Sequence, residues 1–176
     1  MEGYRYILRY YIDPGFSEGD RIAELVDFCR RGRVEEVMFF HNPEELFQGY
    51  PGRIYDAPWF ELAGRVKAAL AEAGIAMSLN PWVTTCHLSR GRRFGESERD
   101  FAPMVGETGV VSPITACPLD PAWQRDLARR FAEMAARLGP VTIWVEDDWR
   151  LHNHEPSMKY GGCFCPLHLA RFAAMA

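Results

Sequence analysis

The segment from Val141 to Arg171, VTIWVEDDWRLHNHEPSMKYGGCFCPLHLAR, constrains this chain more than any other. A short, apolar, β-branched run ends in three consecutive acids, Glu146, Asp147 and Asp148. A loop carrying His152 and His154 follows, and then Cys163, Cys165 and His168. A buried-type strand that opens into carboxylates, imidazoles and thiols predicts a site at the strand's carboxyl end, with a metal knot beside it.

The residues before this segment alternate between strand-like and helix-like stretches, with no sequence repeat. Tyr4 to Ile12 predicts a first strand, stopped by Asp13-Pro14-Gly15. Ile22, Leu25, Val26 and Cys29 then recur at helical spacing, with Ser17 or Asp20 as N-cap, so Cys29 is a core residue. Val37 to Phe40 predicts a second strand ending at His41. Asp56 caps a second helix with Pro58 in its first turn, Leu62, Val66, Ala69 and Ala73 on one face, and Gly74 at its end. Ile75 to Leu79 predicts a third strand, ending at Asn80-Pro81-Trp82. A long connection, from about Thr84 to Leu119, leads to a third helix that starts at Asp120-Pro121 and stops at Gly139-Pro140. Its stripe is Trp123, Leu127, Phe131, Met134 and Leu138. Val141 to Val145 is the fourth strand, and a fourth helix opens near Pro166.

Alternating β and α elements imply an α/β fold with a parallel sheet and right-handed crossovers. Ligands of such folds sit at the carboxyl ends of the strands, where this chain places His41, Asn80, Trp82 and the three acids. Four units are half of a (β/α)8 TIM barrel, which takes about 250 residues. The 176 residues are therefore expected to form one domain, the N-terminal half of such a barrel, continuing beyond residue 176. An open doubly wound sheet is the alternative, although no Gly-rich phosphate loop follows strand 1. Two unpaired sheet edges leave homo-oligomerisation open.

Composition excludes several classes. The net charge is -4 and the only dense basic cluster is Arg90, Arg92 and Arg93, which argues against nucleic acid as a partner. No apolar run approaches the roughly 20 residues of a membrane span, and the N-terminus lacks a signal-peptide pattern, so the expected location is cytoplasmic. In a reducing compartment the five cysteines are thiols or metal ligands rather than disulfides.

Cys163-x-Cys165-x-x-His168 places three zinc-type ligands within six residues. Cys117 lies at the end of the connection after strand 3, and loops after strands 3 and 4 emerge side by side, so Cys117 can supply the fourth position. Cys86 and His87 are reserves. A site with four protein ligands is structural, not catalytic. The plainer alternative is that these cysteines are small buried hydrophobes. Among the acids, Glu146 and Asp148 share one strand face and Asp147 opposes them. Crowded carboxylates raise one another's pKa, the property a general acid needs. A second reading places a catalytic divalent ion on Asp147, Asp148, His152 and His154.

These residues together resemble the glycoside hydrolase family 42 β-galactosidases. That family consists of eightfold barrels with an Asn-Glu pair at the end of strand 4, the Glu being the acid/base. A Cys-Pro before helix 3 and a C-x-C-x-x-C segment after strand 4 hold its structural zinc. Here Cys117-Pro118, Cys163-Phe164-Cys165-Pro166-Leu167-His168 and Phe172 look like that arrangement. The likeness runs from about Val110 to Phe172 and extends to the first hundred residues in architecture alone. Two departures stand out: His168 replaces a cysteine, and Asp147-Asp148 replaces Asn-Glu.

The resemblance implies retaining hydrolysis of a glycosidic bond, a structural Zn2+ on Cys117, Cys163, Cys165 and His168, and Asp148 as the acid by position, with Asp147 beside it and Glu146 as the alternative acid. His41, Asn80, Trp82, Trp149 and His152 are candidate carbohydrate contacts. Retention needs a second carboxyl group about 5–5.5 Å from the first. The family carries it on strand 7, so the 176-residue chain alone is expected to be inactive. The Asp-for-Glu change also admits a noncatalytic, sugar-binding descendant of the barrel.

Overall fold

A computed structural model describes residues 5–41, 56–81, 101–145 and 162–176. Among them the elements run β1 (Ile7–Tyr10), α1 (Glu18–Gly32), β2 (Glu36–His41), α2 (Asp56–Glu72), β3 (Ala76–Pro81), β4 (Pro103–Val105), β5 (Val111–Ala116), α3 (Pro121–Leu138) and α4 (Pro166–Ala173). The fold is mixed α/β. The chain divides into two units. The first holds β1 to β3, α1, α2 and residues 132–145; the second holds the β4–β5 hairpin, residues 121–131 and α4.

In the first unit β1, β2 and β3 form a parallel sheet in that order. Val37 pairs with Leu8 on one side and Met77 on the other. The segment expected to be strand 4 lies along the free side of β3, in parallel. The Val141 N–H donates to Met77 O at 3.0 Å, the Leu79 N–H to Thr142 O at 3.0 Å, and the Trp144 N–H to Leu79 O at 2.7 Å. Within this sheet the order β1, β2, β3 and then the 141–145 segment follows the chain, with the β4–β5 hairpin inserted between the last two.

The period of two separates the sheet's faces. Val37, Phe39, Met77 and Leu79 pack under the helices, against Leu25, Cys29, Leu62, Val66 and Leu70. The α1 stripe enters this core as its spacing predicts, with Leu25 and Cys29 buried and Ile22 and Val26 partly so. Met134 and Leu138 of α3 belong to the same core. The other face is polar: Arg9, Ser78 and Asn80 stand on it, with Phe40 and Trp144 among them.

Both sheet-covering helices end in the same turn, built from different residues. After α2 the Ile75 N–H reaches back to Leu70 O at 2.9 Å, with Gly74 at φ 71. After α1 the Val34 N–H reaches Cys29 O at 2.9 Å, with Arg33 at φ 53. The left-handed conformation suits glycine and strains a residue bearing Cβ.

The second unit corrects one expectation. The connection after β3 is not continuous loop: β4 and β5 pair antiparallel, Val105 opposite Val111, around a Gly106–Gly109 turn in which the Gly106 N–H donates to Val110 O at 2.8 Å. The prolines at 103 and 113 hide these strands from a periodicity reading. Phe101, Ala116, Trp123 and Leu127 form a small core there, with Phe131 against it. The α3 stripe is therefore real along its length but serves two clusters. No helix among the described residues is long and apolar enough to cross a membrane.

Arg33→Gly should relieve the left-handed strain and raise stability by roughly 0.5 kcal/mol, net of glycine's greater freedom in the unfolded chain. Denaturant unfolding of the two proteins side by side checks this; a destabilised variant would contradict it.

Candidate metal centre

Three pieces of backbone carry the four ligands, all within the second unit. Cys117 directly follows β5, and its N–H donates to Ala102 O at 2.7 Å, extending the hairpin by one rung. Its own carbonyl accepts from the Asp120 N–H at 2.9 Å, a tight turn into α3. The buried Asp120 carboxylate closes that turn: one oxygen accepts from the Ala122 N–H at 2.8 Å and the other from the Ala102 N–H at 2.7 Å. Asp120 is thus the helix cap expected from its position before Pro121, and it also ties the hairpin to α3.

Cys163 and Cys165 come from the segment that enters α4. The Phe164 N–H donates to Val105 O at 2.7 Å, pinning the C-x-C pair to β4. Gly162 turns the chain just before it at φ 140. Cys165 is the N-cap of α4, with Pro166 next, and His168 projects from the first turn. Met104, Cys117, Cys163 and Cys165 form one buried cluster, with Ala102, Val105 and Leu119 packed around it.

The ligand atoms of Cys117, Cys163, Cys165 and His168 all lie within 4.8 Å of one another. Cys117 Sγ is 3.4 Å from Cys165 Sγ and 3.3 Å from His168 Nδ1, and Cys165 Sγ is 3.5 Å from the same nitrogen. Zinc bonds of about 2.3 Å to sulfur and 2.0–2.1 Å to nitrogen, set tetrahedrally, separate ligand atoms by about 3.4–3.8 Å. The cluster fits a tetrahedral ion with little adjustment, and the four residues together could hold a metal ion.

Electrostatics favour the same conclusion. Burial pushes the Cys117 thiol up to about 12, against the Leu119 backbone N–H that bonds its sulfur. Burial also raises the Cys163 thiol, although the backbone N–H groups of Val105 and Cys165 work the other way. At Cys165 burial is outweighed by hydrogen bonds from the His168 ring, the His168 backbone N–H and the two neighbouring thiols, which bring it down to about 7. Three sulfurs this close cannot all ionise unless a cation shares the pocket. Backbone N–H groups already aimed at the sulfurs are the outer-shell support that thiolate ligands use.

The structure brings together all four ligands that the sequence nominated. His41 is buried and its ring lies 4.5 Å from that of Trp59, on the helix side of the sheet. Asn80 is buried at the carboxyl end of β3; its Oδ1 accepts from Arg9 Nε at 2.8 Å and its Nδ2 donates to Trp144 O at 3.0 Å. Glu146, Asp147, Asp148, Trp82, Trp149, His152 and His154, with the reserves Cys86 and His87, lie outside the described residues. Sequence reasoning passed over Asp120 as a support of the centre. Its signal is a cap residue three positions after a ligand cysteine. No protein-family model matches the chain, and no curated protein matches it either.

Two outcomes follow. Asp120→Ala should cost about 1–2 kcal/mol of stability, the usual worth of a cap, and weaken metal binding, read by a chelator competition titration. Unchanged affinity would show that Asp120 does not position Cys117. Because Cys117 and Cys163 hold their protons at neutral pH in the metal-free protein, metal must displace two protons above about pH 7 and a third as Cys165 protonates below it. Affinity should therefore rise between about a hundredfold and a thousandfold per pH unit between about pH 6 and 7.5, most steeply at the acid end. A pH-independent affinity would contradict thiolate ligation.

Proposed function

We propose that this chain forms the first four β/α units of an eightfold barrel of the glycoside hydrolase type, resembling the family 42 β-galactosidases. In this reading Cys117, Cys163, Cys165 and His168 hold a structural zinc that ties the C-x-C segment and the start of α4 to the end of β5. The observation that carries it is the convergence of Cys117 with the C-x-C-x-x-H group across a wide gap in the sequence. All four positions are filled by protein, which suits a closed structural site and leaves no place for substrate on the ion.

The sheet adds support. Strands that join in sequence order on one side are those of a singly wound barrel, whereas doubly wound sheets reverse at a switch point. The acids at 146–148 directly follow the segment paired with β3. Barrel enzymes place catalytic groups at such strand ends.

The chemistry assigned to this chain is proton transfer. Asp148 protonates the leaving glycosidic oxygen and then takes a proton from the incoming water, with Asp147 and Glu146 adjusting its acidity. The attacking carboxylate stands about 5–5.5 Å away on a later strand of the barrel. A zinc bound at the four ligands contributes rigidity, and no step passes through it.

Elemental analysis of freshly purified protein should find about one zinc per chain, retained under mild chelation and lost in the Cys163→Ser, Cys165→Ser double variant. Absence of zinc from protein prepared without chelator would remove the main support. In the complete protein, Asp148→Asn should lower the hydrolysis of alkyl glycosides by about 10²–10⁴-fold, the usual contribution of a general acid. Wild-type rates in that variant would exclude Asp148 from the role.

A further inference from the structure

The polar face of the parallel sheet carries an assembly at its carboxyl end that the chemistry above does not use. Trp144 stands there one position before the last residue of the fourth-strand segment, and two before Glu146. It is 41 % exposed, yet it is held at two points: its Nε1 donates to Ser78 Oγ at 3.1 Å, and its carbonyl accepts from Asn80 Nδ2 at 3.0 Å. Both partners are buried. Asn80 is fixed in turn by Arg9 Nε, and the Arg9 guanidinium lies 3.9 Å from the centroid of the Phe40 ring. Tyr11, 42 % exposed, meets Phe40 edge to face at 6.3 Å.

We infer that Trp144 is a stacking platform for a pyranose ring, with Tyr11 as a second aromatic wall and Arg9, Ser78 and Asn80 as the residues that hold it. The indole's one polar atom is satisfied internally, so what it offers outward is an apolar ring. Its setting is not apolar: a guanidinium, an amide and a hydroxyl share this face, and three acids follow in the chain. An apolar ring among polar groups matches a sugar, which has one C–H face and a rim of hydroxyls. An aliphatic protein partner would instead desolvate Arg9 without need. The indole is held in place before the ligand arrives, which lowers the ordering cost of binding.

The inference rests on the glycoside reading and adds a binding residue to it. The test is a titration of the full chain with methyl β-D-galactopyranoside and methyl β-D-glucopyranoside, followed by NMR of the tryptophan indole N–H groups. The Trp144 signal is identified by its disappearance in Trp144→Phe. That signal should shift saturably with at least one of the two sugars. Trp144→Ala should weaken that binding tenfold or more, and Trp144→Phe by less, because a smaller ring still stacks. Zinc content and thermal unfolding of each variant, measured alongside, report whether the fold is intact. No saturable shift of the Trp144 signal, or equal affinity in a folded Trp144→Ala variant, overturns the platform. With one zinc per chain still present, either result would leave the barrel reading standing; loss of zinc binding in the wild type would instead remove that reading.

Discussion

Crowding of three sulfurs and an imidazole in a buried corner is the constraint on which the second unit depends. With the ligand atoms within 4.8 Å of each other, their lone pairs and charges repel unless a proton or a cation stands between them. Burial drives Cys117 and Cys163 toward the neutral thiol, while at Cys165 hydrogen bonds outweigh burial and favour the thiolate, bringing its pKa down to about 7. Among the described residues the cluster directly around them is small: Met104, three cysteines and the partly buried Ala102, Val105 and Leu119, beside the separate cluster of Phe101, Ala116, Trp123 and Leu127. So little apolar area orders a hairpin and a short helix only weakly. An ion bound by ligands from β5's end and α4's first turn would therefore contribute directly to folding, as it does in small metal-stapled domains.

The two units use different physics. In the first, helices cover one face of a parallel sheet, and Val37, Phe39, Met77 and Leu79 bury a continuous apolar layer. The second relies on local bonds at defined atoms: Asp120 to two backbone amides, Phe164 to Val105, and Cys117 to Ala102. The site belongs to the second kind, where position matters more than area. A single misplaced carbonyl there would move a ligand, whereas the larger core tolerates modest changes of shape.

Much of this was legible in the residues. The helical stripe of Leu25 and Cys29, the strand ending at His41, the helix stop at Gly74 and the cap at Asp120 all lie where local chemistry predicts. The cluster was legible for a different reason: C-x-C-x-x-H is dense, and Cys117 ends the connection after strand 3, a loop expected beside the one after strand 4. The hairpin was not, because its prolines erase the alternation that marks strands and because its β4 is three residues long. Arg33 in a left-handed turn was also hidden, since glycine is the signal for that turn. The polar network of Arg9, Ser78, Asn80 and Trp144 depends on parallel register between strands far apart in the chain, which single-sequence periodicity does not encode.

X-ray absorption at the zinc edge of the purified protein addresses the central claim most directly, because it counts the atoms around the ion. The account predicts three sulfur neighbours at about 2.3 Å and one nitrogen at about 2.0–2.1 Å, with no bound water. A shell of oxygen and nitrogen alone, or one sulfur among several waters, would contradict it and place the metal away from Cys117, Cys163 and Cys165.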